Sequence, residues 1–237
     1  MHTCALCQLP RQLLQSHIVP EFLYEQVYDT LHGYRVICTA PGARFARRRK
    51  GIYERLLCAE CEGRLGRLEG YAARVFGGGL ELELTDRHDS LVVGNLDYKT
   101  FKLFQMSVLW RCGVSRRREF RATDLGPHAE RLRQMLLEER PGEPHDYGCV
   151  LILPASHAVT VQMIYPPEPV TCHGHRAYRA SFGGLLWVYL VSSHSATFPN
   201  RDLFLNQGGT LRIVKEGLRT TEFLLKLRSE LAGRVRE

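Results

Sequence analysis

The sequence predicts an α+β fold: a small cysteine-built module at the N-terminus, then helices, then a mainly antiparallel sheet toward the C-terminus. Three observations predict it. Two Cys-x-x-Cys pairs stand in the first 61 residues, one in a hairpin-like stretch and one opening a helix. Residues 97–115 and 125–138 carry apolar side chains at helical length and spacing. From residue 148 the chain turns to Val, Ile, Leu and Tyr in strand-length runs. These shifts divide the chain into residues 1–80, 81–147 and 148–237.

Each element follows from its own pattern. Residues 1–17 read as a short hairpin holding Cys4 and Cys7. Pro20 suits a first helical turn, and Tyr24, Val27, Tyr28 and Leu31 carry the helix on to Gly33. Residues 34–51, with Gly, Pro and a basic run, read as a loop. After LLCAEC, the stretch CEGRLGRLEGYAARVF is a helix with Leu65, Leu68, Ala72 and Val75 as its apolar stripe, stopped by FGGG. Residues 80–93 alternate like a hairpin. The helix of 97–115 is apolar enough to be mostly buried. In 125–138, Glu130 and Arg131 face solvent while Leu132, Met135 and Leu136 face inward. RPGEPHDYG is a linker. Residues 148–165 and 176–192 are strand-like and PPEPVTCHGH separates them; a last helix starts near Thr220.

Composition limits the function classes. A hydrophobic content of 44% and a charged content of 24% are those of an ordinary soluble globular protein. No apolar run reaches the roughly 18 residues of a membrane helix, and no signal peptide is visible. The expected compartment is the cytoplasm, with no membrane partner. Eight cysteines in such a chain argue against a disulfide framework. Cys38, Cys112, Cys149 and Cys172 read as small buried hydrophobes. No phosphate-binding glycine loop, nucleophile elbow or dinucleotide fingerprint is present.

The net charge of +7 favours polyanion partners. It is concentrated in RFARRRK, with Arg44, Arg47, Arg48, Arg49 and Lys50, and again at Arg116, Arg117 and Arg118. Such clusters are either solvated loops or contacts to nucleic-acid phosphates.

Cys4 and Cys7, then a fifty-residue gap, then Cys58 and Cys61, form a signature for a structural zinc site. Four thiolates fill a tetrahedron and leave no open position, so the ion is structural. A knuckle supplying two ligands and a helix N-terminus supplying two more is the treble-clef plan. Cys-His-x-His at 172–175 could also hold a metal, but no fourth ligand stands near it in sequence.

SHIVP at 16–20, followed by Leu-Cys-x-x-Cys opening a helix, resembles the zinc-containing HNH (ββα-metal) endonucleases. SHIVP, LLCAECEGRLGRLEGY and FKLFQMSVLWR also resemble a widespread bacterial HNH-like set, over roughly residues 4–140. The resemblance implies phosphodiester hydrolysis on DNA, with His17 as general base; bacterial genome defence is a natural setting for such an activity. It places Ser16 and Glu62 where that family carries metal ligands, and Tyr53 near an orienting Asn.

Glu62 and Glu69 lie two helical turns apart, within about 20° of one face. With His17 they could hold Mg²⁺ or Mn²⁺, since hard cations prefer oxygen ligands. Structural readings stand beside this. His17 could cap backbone, Glu62 suits a helix N-terminus without any metal, and Glu69 could pair with Arg55 or Arg111. The expectation is therefore a divergent metal-dependent nuclease. The alternative is a non-catalytic zinc module that binds nucleic acid or a partner protein.

Overall fold

The computed structural model describes residues 2–25, 27–36, 46–154 and 163–215. The fold is mixed α+β. Its N-terminal part holds the short strands β1 (His2–Thr3) and β2 (Pro10–Arg11), then β3 (Leu13–His17) and a single helical turn, α1 (Phe22–Glu25). Strands β4 (Tyr34–Val36), β5 (Ala46–Arg48) and β6 (Tyr53–Cys58) follow. β6 runs directly into helix α2 (Ala59–Phe76). Next come the hairpin β7 (Glu83–Asp86) and β8 (Ser90–Gly94), then helices α3 (Tyr98–Val114) and α4 (His128–Leu137). The C-terminal strands are β9 (Cys149–Leu153), β10 (Met163–Cys172), β11 (His175–Phe182), β12 (Leu185–Leu190) and β13 (Leu211–Lys215).

One nine-stranded sheet has the order β5-β4-β10-β11-β12-β9-β13-β8-β7. It is antiparallel except where β10 meets β4 and where β13 meets β9. β3 and β6 pair antiparallel in a separate two-stranded sheet, and β1 pairs with β2. The large sheet takes strands from all three sequence ranges, so the pattern breaks at residues 80 and 147 lie within one continuous sheet and core.

α3 runs through the centre of this core. Asp97 caps it by accepting from the Thr100 amide at 2.6 Å. Every residue from Phe101 to Cys112 is buried, as expected for a helix apolar on all sides. Trp187 on β12 stacks on Phe76 with centroids 6.3 Å apart and meets Phe104 edge-on at 6.2 Å. Full burial of a side chain such as Phe104 stabilises the fold by about 1.5–3 kcal/mol. α3 also buries Lys102, whose Nζ donates to the carbonyls of Pro144 at 2.9 Å and Tyr147 at 3.2 Å. Burial pulls its ammonium down to about 8.

Four expectations about elements need correction. The helix expected over residues 20–33 is only the turn Phe22–Glu25. Asp29 accepts from the amides of Leu31 and Gly33 at 2.9 and 2.8 Å, a local turn that competes with the helix. Residues 34–51 are not all loop, since they supply β4 and β5 at one edge of the sheet. The proline-rich separator lies in strand β10 instead, with Pro166 and Pro167 falling where the register shifts between Tyr165 and Glu168. A bulge is where a strand tolerates missing amide donors. The run 176–192 is two strands, turned at Gly183 and Gly184, both at positive φ. The helix expected from Thr220 lies outside the described residues. None of the described helices is long and apolar enough to cross a membrane.

Candidate functional site

The knuckle between β1 and β2 is tied to itself. The Gln8 amide donates to the Cys4 carbonyl at 2.9 Å and the Cys4 amide to the Leu9 carbonyl at 3.0 Å, with Gln8 at φ 60°. It is tied to β6 by the Ala5 amide, which reaches the Leu56 carbonyl at 3.0 Å. Cys58 is the N-cap of α2, so the first turn of that helix presents Cys61 toward the knuckle.

The four sulfur atoms of Cys4, Cys7, Cys58 and Cys61 lie within 4.8 Å of one another and could hold a metal ion. The Cys7 and Cys58 sulfurs are 3.9 Å apart. That separation fits a tetrahedral thiolate site, where metal–sulfur bonds of about 2.3 Å put neighbouring sulfurs ~3.8 Å apart. The thiols are free, and the Cys58 amide donates to Cys4 Sγ at 3.3 Å. Arg133 on α4 braces the knuckle by donating to the Leu6 carbonyl at 2.7 Å. Among the described residues, these cysteines are the only group of three or more His, Cys, Asp or Glu side chains close enough to share an ion.

The other predicted residues are placed separately. His17 ends β3 with 27% of its side chain exposed, and its Nε2 lies 2.8 Å from Glu21 Oε2. Its ring rests on Tyr53, centroids 4.1 Å apart. The second Glu21 oxygen accepts from the Tyr28 hydroxyl at 2.7 Å. Gly51 allows the chain to pass this pair closely, since a Cβ there would stand 2.9 Å from Glu21 Oε2 and 3.0 Å from His17 Cδ2.

Ser16, the preceding residue on β3, points to the opposite face, as strand alternation requires. Its hydroxyl donates to Glu62 Oε2 at 2.6 Å and accepts from the Leu57 amide at 3.3 Å. Glu69 is held by Arg111, whose Nη1 lies 2.5 Å from Glu69 Oε1 and also donates to the His17 carbonyl at 2.8 Å. Of the two cations considered for Glu69, the structure gives Arg111. His17, Glu62 and Glu69 each have a different partner, and they do not converge on one divalent cation.

The basic clusters converge instead. Arg48 forms an ion pair with the buried Glu119, which follows Arg116, Arg117 and Arg118 directly. This pair ties the segment of Arg48, Arg49 and Lys50 to the segment of Arg116 to Arg118, and apart from the half-buried Arg48 these side chains are exposed. Glu54 on β6 fixes the same turn, accepting from Ser115 Oγ at 2.6 Å and from the Arg116 amide at 3.0 Å. Arg44, and the side chain of Arg47, lie outside the described residues.

At the far end of the sheet, His173 and His175 pack edge-on to Phe198 at 5.6 and 5.8 Å. They make no ion-holding group among the described residues. Sequence reasoning missed Glu21, Glu54 and Glu119. Only Glu21 had a local signal, four residues after His17.

No protein-family model matches the chain, and no match is found among curated proteins or solved structures.

Proposed function

We propose that this chain is a nucleic-acid-binding protein whose N-terminal part is a zinc-stabilised treble clef of HNH type, acting in the cytoplasm on DNA. The observation that supports this reading is the Arg48–Glu119 ion pair, which ties together two basic segments distant in sequence. Arg49, Lys50, Arg116 and Arg117 in those segments are exposed guanidinium and ammonium groups. Cations so placed bind the phosphate backbone and gain free energy by releasing its counterions. The four cysteines suit zinc, whose closed thiolate site is structural and leaves no position for substrate.

The test is fluorescence anisotropy with a labelled DNA duplex. The double variant Arg116→Ala/Arg117→Ala should bind about tenfold or more weakly than the parent at equal salt. Unchanged affinity would overturn the reading.

A second reading, HNH-type phosphodiester hydrolysis with His17 as base, is favoured by the His17–Glu21 pair. A carboxylate at Nε2 fixes the tautomer with the proton on that nitrogen and leaves Nδ1 to accept a proton from water. The Ser16–Glu62 contact and the Arg111–Glu69 pair leave no Mg²⁺ or Mn²⁺ ligand set around His17 among the described residues. Plasmid cleavage with added Mg²⁺ or Mn²⁺ decides between the readings. Cleavage lost in His17→Ala supports hydrolysis. Binding without cleavage supports the first reading alone.

A further inference from the structure

A cleft of about 770 Å³ opens beside the cysteine cluster, between the knuckle, β6 and the end of α3. Its size falls in the range of ligand pockets, roughly 300–1,000 Å³. Leu13, Leu56 and Val114 line it, with Arg55 and Arg116. A second hollow of about 420 Å³ shares His2, Leu13 and Arg55 with the first and adds Arg11 and Gln12. Through these shared residues the two hollows form one trough, with Arg116, Arg55 and Arg11 along it.

The charges along the trough favour an anion. Arg11, Arg55 and Arg116 are exposed, and their side chains form no ion pair among the described residues. Glu54 also lines the cleft, but both of its oxygens are turned to Ser115 and the Arg116 amide. Cys4 also lines the cleft, and with its thiolate and the hydrogen-bonded Glu54 carboxylate both counted, the three arginines still outnumber them.

We infer that this trough binds an unpaired strand of nucleic acid, with phosphates on the guanidiniums and at least one base against the apolar wall. The inference rests on the nucleic-acid reading above and narrows it to a strand class. Leu13, Leu56 and Val114 offer a base face the apolar contact that a paired base, already stacked in a duplex, does not need. Arginine planes and the His2 ring add sequence-tolerant stacking surfaces. Arg49, Lys50 and Arg117 line neither hollow.

The experiment compares one labelled oligonucleotide, single-stranded or annealed to its complement, against the parent and Arg11→Ala/Arg55→Ala. Both residues are exposed, so the fold should survive, and circular dichroism checks it. The parent should prefer the single strand by about tenfold, the worth of one stacked base. The double variant should lose most of that preference while duplex affinity changes less than about threefold. A parent that binds both forms equally, or a variant that keeps the full preference, would overturn the inference and leave the broader reading standing. Failure of the parent to bind either form would overturn both.

Discussion

Arg111 and Glu69 meet at 2.5 Å across the junction of α3 and α2, and the same arginine nitrogen holds the His17 carbonyl at 2.8 Å. The two side chains are unequally buried, with 1% of Arg111 exposed against 23% of Glu69. Breaking the pair from either side should therefore have different costs. Glu69→Ala leaves a buried guanidinium without its carboxylate and should destabilise by about 3–5 kcal/mol. Arg111→Met fills similar volume and leaves a carboxylate that water can reach, so its cost should be smaller. Urea unfolding of both variants measures this. Equal costs, or the reverse order, would contradict the clamp described.

Removing a cysteine tests the metal cluster separately. The parent should carry one equivalent of zinc per chain, and Cys58→Ser should lose most of it by elemental analysis. Because an ion held by the four sulfurs would link the knuckle to the start of α2, chelation should also lower the melting temperature. Full zinc content in Cys58→Ser would remove that cysteine from the ligand set.

Glu119 supports a prediction against the simple charge rule. Glu119→Gln raises the net charge by one, which by itself favours DNA binding. It also removes the buried partner that ties Arg48 to the segment carrying Arg116 to Arg118. Duplex affinity should fall, by about threefold or more if one phosphate contact is lost. A rise in affinity would mean that charge alone matters and the juxtaposition does not.

Lys102 gives a pH dependence. Its folded ammonium is pulled down to about 8 by burial, while the unfolded group titrates near its ordinary 10.5. Between those values the unfolded state binds more protons, so this group makes stability rise with pH. From pH 7 to 9.5 the parent should gain about 2 kcal/mol relative to Lys102→Met, read from denaturant unfolding. Parallel profiles for the two proteins would refute the shift.

Much of this molecule was legible because the signals were local. The two cysteine pairs, the stripe of Leu65 and Ala72, and the predominantly apolar α3 are each visible in a short stretch of sequence. The strand β10 was hidden because its prolines read as a break until a register shift absorbed them. The Gly183–Gly184 turn was a readable hairpin signal inside a run taken as one strand. The contacts that decide the site were beyond local reading. Ser16 and Glu62 are 46 residues apart, and Arg48 and Glu119 are 71 apart. Position 16 and position 62 were singled out as a pair by resemblance, yet their direct hydrogen bond follows only from the packing of α2 on β3.

The central claim is that the two tied basic segments bind the nucleic-acid backbone, and the salt dependence of binding tests that most directly. Duplex affinity should be measured across a range of salt for the parent and for Arg49→Ala/Lys50→Ala/Arg116→Ala/Arg117→Ala. If those four groups each neutralise a phosphate, log K should fall against log salt with a slope near −3.6 for the parent. The slope should approach zero in the variant. A parent whose binding ignores salt, or a variant that keeps the parent's slope, would contradict the account.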